Sequence, residues 1–263
     1  MPIITRFHII FNISQMNMAM IKKICISLVL CCAVATGLQA QELTHYYQQW
    51  YTYFGNAGIN ERWSIPFDVQ VRLRDGISDK GQILMRAGLQ YMPNKRTGYL
   101  LGYANIPTYS PAIDAYQPEH RIFQQFIYKM GSPAYAMTHR VRLEQRWVGQ
   151  KTHTGNGDEL KVSSWKYGNR FRYFNRTTFP IKKEQQPTNF YLALQNELFM
   201  NLWGNEINDK FIDQNRFLVA PGYAVKPNLK LEVGYMNHYQ QSASGDQAMN
   251  HVVQFSVLHD FSM

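Results

Sequence analysis

Residues 139–147 read His139-Arg140-Val141-Arg142-Leu143-Glu144-Gln145-Arg146-Trp147. Arg140, Arg142, Glu144 and Arg146 share one parity, while Val141, Leu143 and Trp147 share the other, broken only by Gln145. A β-strand turns successive side chains to opposite faces, so this is one charged face and one mostly apolar face. A helix would scatter the same arginines around its circumference. The same alternation recurs in 63–74, where Asp68, Gln70, Arg72 and Arg74 oppose Phe67, Val69, Val71 and Leu73. It recurs again in 82–91, where Gln82, Arg86, Gly88 and Gln90 oppose Ile83, Met85, Ala87, Leu89 and Tyr91.

The chain ahead of these runs has a different character. Lys22 and Lys23 precede an apolar run over 24–34, followed by Ala35-Thr36-Gly37-Leu38-Gln39-Ala40. A basic start, a short apolar core and a small residue at its end describe a secretory signal peptide with cleavage after Ala40. The run is too short to cross a bilayer as a helix, which takes about 20 apolar residues. Leu30 before Cys31 argues against a lipidated cysteine. Met18 or Met20 are alternative translation starts. The expected organisation is a leader over 1–40 and a single β-barrel domain over 41–263.

Composition fits an exported barrel. The 263 residues hold 17 Tyr, 15 Phe and 5 Trp. Mean hydropathy is −0.36, which suits strands apolar on one face only. All three cysteines, Cys25, Cys31 and Cys32, precede residue 41, leaving the remainder without a thiol, disulfide or cysteine metal site. The formal charge of +9 is open to nucleic acid, anionic lipid or an acidic ligand. No zinc-finger, helix-turn-helix or RNA-binding signature accompanies it, so no nucleic-acid partner is expected.

Beyond residue 41, strand-like runs fall at 45–54, 63–74, 82–91, 98–105, 119–130, 135–149, 163–179, 190–202, 213–225, 229–240 and 251–261. After Arg74 the longer loops lie at 75–81, 106–118, 150–159, 204–211 and 242–248, and the connections between them are mostly short. Transmembrane barrels show this asymmetry, with short turns at one end and longer loops at the other. Runs of about ten residues suit tilted membrane strands, whereas globular strands average about five or six. The sequence therefore predicts an all-β, antiparallel up-and-down transmembrane barrel of about 10–12 strands with an Arg-rich lumen. Bacterial single-chain barrels are even-numbered. On that rule the run at 45–54 either pairs with an additional strand, giving twelve, or lies in the lumen or along the rim, leaving ten. Alternation alone does not say which face points out: a soluble barrel would bury Val141 and Leu143 and expose the arginines.

Glu119-His120-Arg121 with Gln124-Gln125, the 139–146 stretch, Arg170-Phe171-Arg172-Tyr173, Asn196-Glu197, Asp213-Gln214-Asn215-Arg216 and Glu232-Val233-Gly234-Tyr235-Met236 together resemble the bacterial family catalogued as domain of unknown function 2490. The resemblance runs from about Trp50 to the C-terminus. It implies a β-barrel in the outer membrane of a Gram-negative cell and carries no catalytic residues. Expected partners are outer-membrane lipid and the barrel-assembly machinery, since the last strand ends on an aromatic at Phe261. A small solute is a further possibility.

The candidate lumen residues are Arg72, Arg86, Glu119, Arg121, Arg140, Arg142, Glu144, Arg146, Arg170, Arg172, Glu197, Arg216 and Glu232. Arginine forms bidentate pairs with carboxylates, so the first reading is a network bracing opposite walls. The second is an anion path or a pocket for an acidic ligand. A hydrolase needs a base and nucleophile held together. None of His45, His120, His139, His153, His238, His251 or His259 has a serine two residues on, although His120 and His139 are candidate bases in an outer-membrane lipid hydrolase. A third possibility is a soluble periplasmic barrel with an apolar ligand. No cofactor or metal ligand set is expected.

Overall fold

The computed structural model describes residues 43–75, 79–153, 160–183 and 186–262. The signal segment with its cleavage after Ala40 lies outside them, as do parts of the 75–81, 150–159 and 180–188 connections. The strands are β1 (Leu43–Gly58), β2 (Trp63–Arg74), β3 (Asp79–Tyr91), β4 (Thr97–Asn105), β5 (Thr108–Ser110), β6 (Ala115–Gln117) and β7 (Glu119–Ser132). They continue as β8 (Tyr135–His153), β9 (Leu160–Lys183), β10 (Gln186–Asn201), β11 (Ile212–Lys226), β12 (Leu229–Gln241) and β13 (Gln247–Ser262).

Pairing runs β2-β1-β13-β12-β11-β10-β9-β8-β7-β4-β3, and β3 returns to β2. The eleven long strands therefore close into a barrel. The short pair β5 and β6 forms a hairpin within the proline-bearing loop, tied to β3 where Gln82 faces Thr108. All neighbours around the wall are antiparallel except one pair. β1 runs parallel to β13, with Trp50 opposite Gln254. This corrects the choice between ten and twelve strands. The 45–54 run is a full wall strand, and the count is odd because the seam between the first and last strands is parallel. Membrane-type barrels with an odd count exist, so the evenness rule is one of frequency.

Short and long connections separate to opposite ends, and β1 and β13 both start at the long-loop end. At the short end, Asn60 Oδ1 accepts from the backbone N–H of Arg62 and Trp63, both at 3.0 Å. Asn94 Oδ1 does the same for Arg96 and Thr97, at 2.8 and 2.9 Å. These asparagine-closed turns satisfy backbone donors locally. Strands run further than the sequence suggested on both sides of several turns: β9 reaches Lys183 and β10 begins at Gln186, inside the expected 180–188 turn. At this turn the pairing reaches Lys183 opposite Gln186, and paired backbone is the favoured state in a barrel.

The barrel is inverted relative to a soluble one. Leu101 is 60% exposed, and Val71, Leu89, Ile122, Leu143, Val233 and Val253 also face outward. Arg142, Arg146, Arg170 and Arg172 are buried inside. This overturns the arrangement in which Leu143 is buried and the arginines exposed. Gln145, which interrupts the outward apolar stripe, exchanges amide hydrogen bonds with Gln124 on β7 at 3.1 and 3.3 Å. Asn196 and Asn215 pair in the same manner on the outer face of β10 and β11. Polar side chains on this face are thus satisfied by one another.

The outward stripe ends in aromatic and histidine rings at both levels. On β13, His251 bonds Tyr235 Oη at 2.5 Å and His259 bonds Tyr53 Oη at 2.9 Å. On β8, His139 bonds Tyr173 Oη at 2.8 Å, and Trp147 packs on Tyr167. The two levels have the same spacing on both strands, 251 to 259 and 139 to 147. At about 3.3–3.4 Å per residue this is about 27 Å along a strand. A tilt of about 35–45° reduces it to about 20 Å, near the apolar band of about 25 Å in membrane barrels.

Two inward glycines make room for rings. A Cβ on Gly102 would lie 2.4 Å from the Phe123 ring, and one on Gly222 would lie 2.3 Å from the Tyr191 ring. Aromatic cover of this kind compensates glycine's missing side chain in a strand. Phe123 is held in turn by the Arg142 guanidinium at 4.3 Å, so it has little freedom to yield. Gly102→Ala should cost about 1–3 kcal/mol by overpacking. Gly58→Ala should be close to neutral, because its nearest neighbour would be the Phe261 carbonyl oxygen at 3.6 Å. Guanidinium unfolding followed by heat-dependent gel mobility compares the two; equal midpoints would contradict this packing.

Candidate lumen network and cavity

Strand parity carries the inward residues. On β7 these are Glu119, Arg121, Phe123 and Gln125; on β8, Arg140, Arg142, Glu144 and Arg146; on β9, Arg170 and Arg172; on β10, Glu197 and Phe199. Register aligns them. Glu144 faces Arg170 across β8 and β9, and Arg121 faces Arg146 across β7 and β8.

Glu144, 1% exposed, is the hub. It accepts from Arg172 Nη1 at 2.5 Å and from Arg170 Nη2 at 2.7 Å and Nε at 3.1 Å. Arg142 Nη1 approaches it at 3.4 Å and Arg121 Nη1 at 3.8 Å. Glu197 accepts from Arg172 Nη2 and Arg140 Nη2, both at 2.6 Å. Glu119 accepts from Arg121 Nε and Arg146 Nε, both at 2.7 Å. Three carboxylates thus hold Arg121, Arg140, Arg142, Arg146, Arg170 and Arg172, and the cluster keeps a positive excess. Arg142 is held mainly by Gln125 Oε1, at 2.7 and 2.9 Å.

The remaining candidates stand apart. Arg86 pairs with Asp68 at 2.8 and 3.0 Å. Glu232 receives Arg176 and the Tyr191 hydroxyl, the latter at 2.6 Å. Arg72 and Arg216 meet amides rather than carboxylates. Asp68, Arg176 and Gln125 were missing from the expected set; Asp68 already sat on the charged parity of β2. The buried rings are the other omission. Arg170, Arg172 and Arg216 lie 5.0, 4.4 and 4.6 Å from the Phe199 centroid, and Arg140 lies 4.1 Å from Phe174. Such cation–π contacts give Arg140, Arg170 and Arg172 a ring to stack on beside their carboxylates, and Arg216 a ring in place of one.

A cavity of about 1360 Å³ remains inside the barrel. Every long strand contributes to its lining: Tyr46 to Asn56 of β1 and Ala248 to Asp260 of β13 border it, and so do Arg121, Arg142, Arg170, Arg172 and Phe199 of the opposite wall. Thr108 and Tyr109 of the hairpin border it at the long-loop end.

The candidate bases are elsewhere. Alternation puts His120 outward while its neighbour Glu119 points in. His120 bonds Tyr103 Oη at 2.5 Å, and His139 bonds Tyr173. No described contact supplies either histidine with a carboxylate or a nucleophile. Among the described residues no cluster of three or more His, Cys, Asp or Glu has metal-binding geometry.

Comparison with known proteins follows this architecture. The family model described as Protein of unknown function (DUF2490) matches residues 47–249. An uncharacterized protein of Methylorubrum extorquens is 24% identical over 234 residues, covering 86% of this chain and 93% of that protein. Among solved structures, the chain is similar to the β domain of the Bordetella autotransporter BrkA, at 10% identity and a TM-score of 0.39, over 70% of this chain and 80% of that one.

Proposed function

The chain belongs to the family described as Protein of unknown function (DUF2490), and from that premise we propose an outer-membrane β-barrel that holds or passes a small solute and performs no catalysis. The observation that carries this reading is the inverted polarity. Apolar side chains face outward between two aromatic and histidine levels, while charged side chains are gathered within. Such an exterior is stable against lipid tails and unstable in water. The signal-like segment ending at Ala40 supplies the export route, and the proposed neighbours are outer-membrane lipid and the barrel-assembly machinery. The cavity supplies room for a solute, and guanidiniums of the glutamate-centred cluster line part of it.

Cell fractionation should recover the protein with the outer membrane, and mass spectrometry should find a mature N-terminus near Gln41. Reconstituted in planar bilayers, it should give a small conductance, because the arginine cluster narrows the lumen. Recovery as a freely soluble periplasmic protein would remove the membrane reading. Lipid hydrolysis by the refolded protein, lost on changing His120 and His139, would replace it with an enzyme.

A further inference from the structure

We propose that Arg72 and Arg216, gathered at Trp50 in the barrel lumen, form a binding site for a small oxyanion such as phosphate or sulfate. The proposal rests on the solute-holding reading and deepens it. Both guanidiniums lie against one ring: the Arg72 carbon is 3.8 Å and the Arg216 carbon 5.1 Å from the Trp50 centroid. Trp50 is buried and donates its Nε1–H to Gln48 Oε1 at 2.9 Å, which fixes the ring.

The partners of these arginines differ in kind from those on the opposite wall. Arg72 donates to Gln70 Oε1 at 2.6 Å and to Gln82 Oε1 at 2.6 Å. Arg216 donates to Gln214 Oε1 at 3.1 Å. Among the described residues neither has a carboxylate in ion-pair contact. The nearby luminal acids are engaged already: Asp68 by Arg86, Glu197 by Arg140 and Arg172, and Glu232 by Arg176. Asp213 borders a second cavity with Arg146 at the long-loop end.

One buried donor here lacks any partner, Arg216 Nε; His238 turns Nε2 to Gln214 Oε1 at 3.4 Å, so that nitrogen donates and Nδ1 is left as an acceptor. His238 is 3% exposed and meets the Trp50 ring edge-on at 5.6 Å. Buried polar atoms are nearly always satisfied, so an unmet guanidinium N–H on one of two arginines without a carboxylate in contact marks a place for an acceptor the protein does not provide. An oxyanion provides it. Its oxygens take guanidinium N–H groups in the bidentate geometry used for carboxylate and phosphate. Arg72, Arg216 and Trp50 all line the large cavity, so a solute in the lumen reaches them.

The test uses the full chain refolded in detergent, its folding verified by gel mobility. Inorganic phosphate is titrated against chloride at constant ionic strength, reading the tryptophan fluorescence that Trp50→Phe removes. A saturable change is expected in the parent and none in the Arg72→Gln/Arg216→Gln double variant. If the double variant misfolds, Gln214→Glu serves instead. It retains an acceptor for Arg216 while supplying an internal anion, and should weaken phosphate about tenfold, the scale of one charged hydrogen bond. A folded parent without a saturable response, or a response that Gln214→Glu leaves unchanged, overturns the site. Bilayer current on the same preparation separates the two readings. Conductance that phosphate never blocks keeps the lumen path and removes the site. Saturable binding without conductance keeps the site and removes passage.

Discussion

Glu144→Gln should lower the unfolding midpoint of the barrel by the equivalent of about 3–5 kcal/mol, the cost of breaking a buried charge pair by deleting one member. The side chain keeps its size but loses the charge that Arg170 and Arg172 share at 2.7 and 2.5 Å. Arg142 and Arg121, at 3.4 and 3.8 Å, lose their nearest shared compensation too. What remains is six arginines sharing Glu119 and Glu197, with Arg170 and Arg142 left without a carboxylate among buried rings. Water entering the lumen reduces the cost, so the upper part of the range is a ceiling. Arg142→Gln should do much less harm. It leaves Glu144 with its two shortest partners and lowers the positive excess. Guanidinium titration with gel mobility as readout ranks the two. If Glu144→Gln kept the parent midpoint and gave a clear anion-selective current, the cluster would be a conduction path rather than a brace.

Leu143→Arg attacks the same strand from its other face. Leu143 is 37% exposed and lies midway between the His139 and Trp147 levels. An arginine at mid-bilayer in a barrel costs about 2–4 kcal/mol, falling toward about 0–1 near the interfaces. The folded fraction after refolding into lipid vesicles should therefore drop well below that of Arg142→Gln. Leu229→Arg, beside the short turn into β12, should be milder. Equal folded fractions for the two leucine variants would deny that Leu143 sits at mid-depth.

These contrasts show how far the residues alone could be read. Parity in 139–147 placed Arg142 and Leu143 on opposite faces, because a strand's period of two is insensitive to its surroundings. It could not tell inside from outside. That depends on the solvent, and the clues were indirect ones such as strand length and loop asymmetry. Glu144 and Glu197 could be chosen as partners from residue type, but their assignment to particular arginines is a matter of register across β8, β9 and β10. Phe123, Phe174 and Phe199 are legible as inward by parity, but a polar lumen gives no reason to expect rings as guanidinium supports. The eleven runs are the eleven wall strands, and only the parallel closure went unread, for another reason. β1 meets β13 across almost the whole chain, and no local pattern near 45–54 records a parallel neighbour.

That parallel seam puts the start of β1 and the end of β13 at opposite ends of the barrel. An odd number of crossings carries a chain from one surface of a membrane to the other, so in an outer membrane those two ends would open onto different compartments. In the proposed setting, epitopes joined just ahead of Leu43 and just after Ser262 would never be reached together by an antibody or protease confined to one side. The end emerging among the long loops would be the one displayed to the cell's surroundings.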